Sequence, residues 1–261
     1  MEKIKTILVK EWREVFKNRL VLFTVAFLPL ILTAIPLISL AATGDFGEEL
    51  SNSASPSEFF GDLCVGLGEM DCTQVYTLSL FTIMFMILPV AIPVTIAAYS
   101  IVGEKTARSL EPLLATPITT TELLVGKALA AIIPAILATW ISFGIYLFGA
   151  RLMVNDLVFG RLLAPHWLAA VLVVAPLLTL MSVSFAMMVS SRVSDPRVAE
   201  QLSALVILPI VFLMIGQSVG FILIDQRVIW LLGGGVAVLD VILVYLAVRV
   251  FERETILTRW K

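Results

Sequence analysis

The sequence has little of what catalytic and metal-binding sites require. Its 261 residues include one histidine and two cysteines, with no H-E-x-x-H motif and no cysteine cluster, so no metal site is expected. The phosphate-binding motif G-x-x-x-x-G-K-[ST] is also missing, because Gly126 and Lys127 are followed by Ala128 and position 121 is Thr. We therefore predict a chain without catalytic residues, without a cofactor of its own and unable to bind ATP by itself.

Charged residues are scarce and unevenly placed. They make up 15% of the chain, and hydrophobic residues make up 59%. In a typical soluble domain about 25% of the residues are charged and roughly 45–50% are apolar. The windows 20–43, 73–103, 128–150, 167–191, 201–224 and 228–248 contain a single charge, Asp240. Each is long enough for a helix that crosses about 30 Å of hydrocarbon, and none has the alternation typical of barrel strands.

This pattern predicts an all-α, polytopic membrane protein that forms one transmembrane domain over residues 1–261. Its six helices are expected at about 20–43, 76–101, 128–150, 167–190, 202–224 and 228–249, with a loop at 44–75. The formal net charge is only -2, so no nucleic-acid partner is expected. The lipid bilayer is the first partner that the sequence predicts.

Lys and Arg are concentrated in alternate connectors. The connectors on the side of residues 1–19 carry 15 of the 18 basic residues, and the opposite connectors carry three. Positively charged loops stay on the cytoplasmic side, so both termini are predicted to be cytoplasmic in a multi-pass protein of the plasma membrane. The 44–75 loop is then external and acidic. Its cysteines, Cys64 and Cys72, could close a small disulfide loop, or both could be free small residues.

Residues 3–17 are predicted to form an interfacial amphipathic helix. Its apolar residues share one half of the helical wheel, and its basic residues cluster opposite, as in helices that lie among lipid headgroups. Trp12 would anchor this helix at the interface. The alternative reading, a basic flank that only sets the topology, is compatible with this role.

The 103–127 connector is predicted to hold a short amphipathic helix. Residues 104–114 include Leu110, Leu113 and Leu114, and Pro117 ends the helix because proline disfavours helix at the residue before it. Thr119 and Glu122 are spaced as a capping box that starts the next helix. A loop that served only topology would not need these leucines, so they should be buried against the membrane surface or a partner.

Few polar residues lie inside the spans. Asp240 is near the middle of the sixth, where a charge is costly and is a functional hypothesis by default. A structural polar contact and a role in transport both remain open for it. Residues 216–220 match the G-x-S-x-G pattern, but an apolar helix without a nearby histidine cannot form that hydrolase site. Gly216 and Gly220 instead suit close helix packing beside Gln217 and Ser218.

Seven prolines lie within the charge-poor windows, and spans one to five each contain at least one of them. Proline removes a backbone hydrogen bond and crowds the preceding turn, so kinks or irregular turns are expected in these five spans.

Two segments resemble the type-2 family of ATP-binding-cassette (ABC) transporter permeases. Six spans, inner termini and a basic N-terminal helix fit the same family, so the resemblance covers the whole chain. The matching residues are Gly103, Glu104, Lys105, Leu110, Glu111, Leu113, Leu114, Ala115, Thr116, Pro117, Glu122, Leu123, Leu124, Gly126 and Lys127 in one segment, and Ser190, Ser191, Arg192, Val193, Gln201 and Leu202 in the other.

The resemblance implies a transporter of two permeases, as a homodimer or heterodimer, with two cytoplasmic ABC ATPase subunits that bind ATP and Mg. It also implies that residues 104–114 are the coupling helix, which docks on the ATPase, and that spans two and five line the path. The ATPase-coupling residues would be Glu104, Arg108, Leu110, Glu111, Leu113 and Leu114. The chain departs from the family pattern at Arg108 and Ser109, where relatives often have Gly-Thr, and at Pro112, where the helix is expected to bend.

An ATP-driven exporter is the leading functional prediction. A gradient-driven secondary transporter is the first alternative, although Asp240 has no intramembrane Lys, Arg or His as a partner. A membrane scaffold that binds an ATPase complex without moving a solute is the second. ATP-dependent transport by the reconstituted complex separates the leading function from the scaffold, and ion-dependent transport without an ATPase would identify the secondary transporter.

Overall fold

The computed structural model describes residues 2–50, 66–106, 119–219, 221 and 225–250. Every regular element in these ranges is helical, and six are long and apolar enough to cross a membrane. The candidate spans, numbered one to six, are Val21–Ala41, Met70–Gly103, Thr121–Met153, Asp156–Arg192, Pro196–Ser218 and Gln226–Val250. The predicted all-α fold with six membrane-spanning helices is confirmed, whereas the interfacial helix and the cytoplasmic termini stay predictions.

The helices extend beyond several predicted bounds. The first long helix, Arg19–Leu50, continues into the predicted 44–75 loop, and the next helix begins at Glu69, also inside it. The predicted bounds followed the uncharged stretches, but a helix can continue into polar residues because their backbones make the same hydrogen bonds. The helix that begins at Glu69 ends at Met84. In chain order, the other helices are Glu2–Val15, Leu88–Thr106, Thr120–Met153, Asp156–Leu162, Pro165–Ala169, Ala175–Arg192, Pro196–Ser203, Leu208–Ser218 and Gln226–Val250.

Span two forms the centre of the bundle. In its most apolar window 72% of the residues are buried, compared with 17% in the windows of spans five and six. Span two packs against spans three and four. The rings of Phe85 and Tyr146 lie 5.0 Å apart, and the Tyr146 hydroxyl donates a hydrogen bond to the carbonyl of Leu78 at 3.2 Å. Spans five and six are therefore the most exposed parts of the bundle.

Three spans contain an irregular turn just before a proline. Span two has a 3₁₀ turn at Phe85–Ile87, span four a π-helical turn at Ala170–Val174, and span five a 3₁₀ turn at Ala204–Ile207. Proline crowds the carbonyl four residues earlier, and for Pro89, Pro176 and Pro209 that residue lies inside the irregular turn. The Trp140 indole donates a hydrogen bond to the carbonyl of Val171, within the π turn, at 3.1 Å.

The expectation of irregular turns is therefore met in spans two, four and five. The helices of spans one and three continue without interruption through Pro29, Pro36 and Pro134.

Candidate functional site at the 103–127 connector

The described residues include both ends of the 103–127 connector. Gly103 lies near the end of span two, and the next helix begins after Thr119. Of the predicted ATPase-coupling residues, Glu104 lies in a helix but its side chain is not described. Arg108, Leu110, Glu111, Leu113 and Leu114 lie outside the described residues. Their coupling role stays a prediction.

A buried ion pair lies beside these two ends. The Lys127 ammonium is 2.9 Å from Oε1 of Glu11, and the two side chains are only 4% and 2% exposed. Lys127 also donates to Oγ of Ser100 at 2.9 Å, and Ser100 donates to Oε2 of Glu11 at 2.5 Å. Each carboxylate oxygen thus accepts one short hydrogen bond. A buried ion pair needs hydrogen bonds of this kind to offset the free-energy cost of its desolvation.

This cluster of Glu11, Ser100 and Lys127 joins three elements, and we call it the Glu11 cluster. Glu11 belongs to the N-terminal helix, Ser100 lies three residues before Gly103, and Lys127 lies in the first turns of span three. The arrangement fixes the two ends of the connector to each other and to the N-terminal helix. A force on the connector would therefore move all three elements together.

Close packing accompanies the Glu11 cluster. Ile7 lies against Gly126 so tightly that a Cβ atom at position 126 would be 2.7 Å from Cγ2 of Ile7. One turn further along each helix, the Trp12 indole donates to the carbonyl of Ala130 at 3.0 Å. The N-terminal helix thus buries part of its apolar face against span three. A helix held among lipid headgroups alone would have no such protein contacts.

The helix that begins within the connector starts as predicted. The Thr119 hydroxyl accepts a hydrogen bond from the Glu122 amide at 3.2 Å, and the Glu122 carboxylate accepts one from the Thr119 amide at 2.9 Å. These two reciprocal bonds form the capping box. Lys3 lies 3.8 Å from Glu122, but both side chains are partly exposed, so this pair adds little.

The connector between spans four and five packs against span two near the same place. Asp195 caps the helix that begins at Pro196, as predicted, by accepting a hydrogen bond from the Arg197 amide at 2.7 Å. Within this helix, Glu200 accepts a hydrogen bond from the Thr95 hydroxyl at 2.7 Å. Span two therefore has polar contacts with the start of span three, through Lys127 and Ser100, and with the start of span five, through Glu200 and Thr95.

The predicted intramembrane polar residues lie at two separate places. Asp240 is 4% exposed, and neither carboxylate oxygen has a hydrogen-bond partner among the described residues. Gln217, 2% exposed, donates to the Ser79 hydroxyl at 3.1 Å. Ser218 is exposed, and its carbonyl accepts a hydrogen bond from the Tyr76 hydroxyl at 3.3 Å. Gln217 and Ser218 thus tie the end of span five to span two.

Two predicted pairs are only half described. Gly216 is part of the helix of span five, and its carbonyl accepts a hydrogen bond from the Phe221 amide at 2.8 Å. Gly220 lies outside the described residues, so the packing role of Gly216 and Gly220 stays a prediction. Cys72 is buried and disulfide-bonded. Cys64, the only other cysteine of the sequence, lies outside the described residues, so the pairing also stays a prediction.

An apolar cavity of about 300 Å³ lies between spans two, four, five and six. The described residues that line it are predominantly apolar, so it is suited to hydrocarbon rather than to water, which needs several polar partners. Each of the three irregular turns contributes to the lining through Met86, Ala170, Val174 and Val206. The family resemblance implied that spans two and five line the path, but it did not indicate a cavity.

Sequence reasoning missed the Glu11 cluster and the cavity. Glu11 carried a signal, because it lies on the same helix face as Ile7 and Val15, four residues away on either side. An acidic residue in the middle of an apolar face needs a buried partner. Lys127 carries the last charge before the uncharged stretch 128–150, but no local pattern indicates that it pairs with position 11. The cavity had no signal in the sequence.

Comparison with known proteins supports the family resemblance. A family model described as ABC-2 family transporter protein matches residues 5–231. The matched range contains most of the N-terminal helix, the Glu11 cluster and all of spans one to five. Among curated proteins, no match to the chain was found.

Proposed function

Because the chain belongs to the ABC-2 family of transporter proteins, we propose that it is the permease subunit of an ATP-driven exporter. In this proposal two such permeases, identical or not, associate with two cytoplasmic ABC ATPase subunits, which bind ATP and Mg. The 103–127 connector is the contact between permease and ATPase. The chain itself supplies the membrane path and no catalytic residue.

The Glu11 cluster is the observation that carries this proposal. Lys127, Ser100 and Glu11 hold the two ends of the connector in one unit with the N-terminal helix. Because both ends are fixed, a displacement of the connector is transmitted to spans two and three instead of being absorbed at its ends. A loop that served only topology would have no need for a buried ion pair at its base.

The same geometry suggests how ATP binding moves the spans. Closure of the two ATPase subunits pushes the connector, and the Glu11 cluster passes the displacement to span two, at the centre of the bundle. Spans two, four and five each contain an irregular turn before a proline, where a helix bends more easily than in a regular stretch. Movement at the connector thus becomes a change of shape around the apolar cavity.

Co-purification with the ATPase tests the proposal. Leu110→Asp combined with Leu113→Asp should abolish association, because two carboxylates cannot be buried in an apolar contact, while the permease remains in the membrane. Val9→Asp is the matched control, since Val9 is exposed on the N-terminal helix. Unchanged association of the double variant, or equal loss in the control, would contradict the proposed coupling site.

The alternative of a gradient-driven transporter depends on Asp240, because an ionisable side chain that is buried within a span is a functional hypothesis by default. ATP-dependent uptake into inside-out vesicles that contain the permease and the ATPase distinguishes the two. Transport that requires an ion gradient and no ATPase would support the alternative, and ATPase binding without any transport would identify a scaffold.

A further inference from the structure

We propose that the cavity between spans two, four, five and six binds the hydrocarbon chain of a bilayer lipid, so that the transported substrate is an amphiphile with a long acyl chain. This inference rests on the proposed function for its transport part, but the binding site can be tested without it. It assigns a site and a substrate class that the family match leaves open.

The lining of the cavity selects hydrocarbon. Among the described residues, the lining is aliphatic or thioether except for Trp167, whose indole N–H is the one strong hydrogen-bond donor, so neither a lipid headgroup nor a stable water cluster has enough partners there. Its volume of about 300 Å³ is at the lower end of the range, roughly 300–1,000 Å³, that small-molecule sites span. The cavity thus suits part of an acyl chain, with the headgroup outside it.

The cavity is continuous with the surface that faces the bilayer. Gly235 lines it and is itself exposed, and its neighbours in the lining, Leu231 and Leu239, are 76% and 48% exposed. Because these residues belong to a candidate membrane span, the opening lies among lipid chains wherever no second permease covers it. A bilayer lipid is the occupant because it is the hydrocarbon that this opening meets.

The cavity is also placed where a change of shape would alter its volume. Met86, Val206 and the π turn with Ala170 and Val174 bring three irregular helix segments to its wall. A regular helix resists bending, whereas an irregular turn followed by a proline, which has no amide hydrogen to donate, bends at lower cost. A displacement of span two would thus narrow or widen the cavity and release or admit the chain.

Photolabelling of the full-length chain tests the binding site. The protein is reconstituted in phosphatidylcholine vesicles that contain phosphatidylcholine with a diazirine in one acyl chain, and the labelled residues are mapped by mass spectrometry. We expect adducts at the lining residues Ile210 and Val174, which are buried. Labelling there no stronger than at Phe212 and Val241, which are exposed apolar residues of spans five and six, would overturn the proposal.

Two neighbouring glycines provide a matched pair of variants. A Cβ atom at Gly235 or at Gly234 meets no other atom within 4 Å, but only Gly235 lines the cavity. Gly235→Leu should fill the cavity and lower the labelling at Ile210 by about tenfold, which corresponds to about 1.4 kcal/mol. Gly234→Leu should leave it unchanged. Equal effects of the two variants would overturn the site.

The transport part has its own readout. With the ATPase present, ATP-dependent movement of the labelled lipid between leaflets should fall in Gly235→Leu and persist in Gly234→Leu. Specific labelling with movement that is insensitive to Gly235→Leu would overturn the substrate class. Failure of the proposed function is seen separately, as loss of co-purification with the ATPase while the labelling persists.

Discussion

At position 11 a carboxylate occupies the middle of an apolar helix face. A carboxylate without a partner at this position would weaken the packing of the helix against an apolar surface. The position is compatible with the fold only because Lys127 and Ser100 supply a hydrogen bond to each oxygen. The free energy of a buried ion pair is a small difference between large desolvation and Coulomb contributions. Removing one member is therefore far more damaging than removing both.

Lys127→Met should lower the free energy of unfolding by about 3–5 kcal/mol, because it leaves the Glu11 carboxylate buried without its cation. The measurement is the thermal unfolding of the detergent-solubilised protein. Lys10→Met is the control, since Lys10 forms an exposed pair with Glu14 at 3.9 Å and should contribute only tenths of a kcal/mol. The double variant Glu11→Met with Lys127→Met should recover much of the stability. Equal losses at positions 10 and 127 would contradict this account.

Asp240→Asn should leave the melting temperature unchanged or raise it. A carboxylate that is 4% exposed and has no partner among the described residues is costly to bury, and the amide is of equal size and always neutral. Co-purification with the ATPase should also persist. A variant that assembles normally but loses ion-dependent transport would instead assign an ionisable role to Asp240.

At the scale of elements, the contact between the N-terminal helix and span three depends on a missing side chain. Gly126 allows Ile7 to approach so closely that a methyl group would overlap it, and both Cβ and Cγ2 of Ile7 are involved. Ile7 is β-branched and stiff, so it cannot turn its far end away as a longer side chain could. Glycine here serves the close approach of two helices rather than an unusual backbone conformation.

Gly126→Ala should therefore destabilise the protein, although alanine is the better helix former by about 1 kcal/mol. Gly144→Ala on the same helix is the matched control, because a Cβ atom there meets nothing within 4 Å, and it should be neutral or stabilising. Adding Ile7→Ala to Gly126→Ala should restore part of the loss. Melting temperatures of the three variants test the expectation, and similar values for Gly126→Ala and Gly144→Ala would refute it.

Local features of the sequence predicted the helices well, because the start and the length of a helix depend on residues that are close together in the sequence. The length of each uncharged stretch predicted a span, and Thr119 with Glu122 predicted the start of a helix, as did Asp195 with Pro196. The type of each irregular turn was beyond such reasoning. Pro89 and Pro176 have the same local chemistry, yet one follows a 3₁₀ turn and the other a π turn, whose Val171 carbonyl is bound by Trp140 from another span.

At the scale of the whole molecule, the Glu11 cluster and the cavity escaped prediction for one reason. Each joins residues from separate spans, and a periodic pattern describes only one helix at a time. Glu11 could be recognised as unusual from its own helix face, but its partner is 116 residues away. The cavity is defined by how four spans pack, so no single stretch of the sequence encodes it.

The orientation of the molecule is open to a direct measurement. The split of 15 basic residues to three between alternate connectors predicts that both termini lie in the cytoplasm. Alkaline phosphatase fused after Lys261 should be inactive, and green fluorescent protein fused there should be fluorescent. The same reporters placed in the 44–75 loop should give the opposite result. An active phosphatase at the C-terminus would reverse the orientation and place the 103–127 connector outside the cell.

The long separation of Glu11 and Lys127 also affects how the chain is made. A ribosome adds about 5–20 residues per second, so the lysine is synthesised roughly 6–23 seconds after the carboxylate that it neutralises. During this interval spans one and two enter the bilayer, while the N-terminal helix lacks the part of its docking surface that span three provides. The N-terminal helix therefore reaches its final position only after span three has begun to be made, and in a nascent chain arrested before residue 127 Glu11 would lack its buried cation.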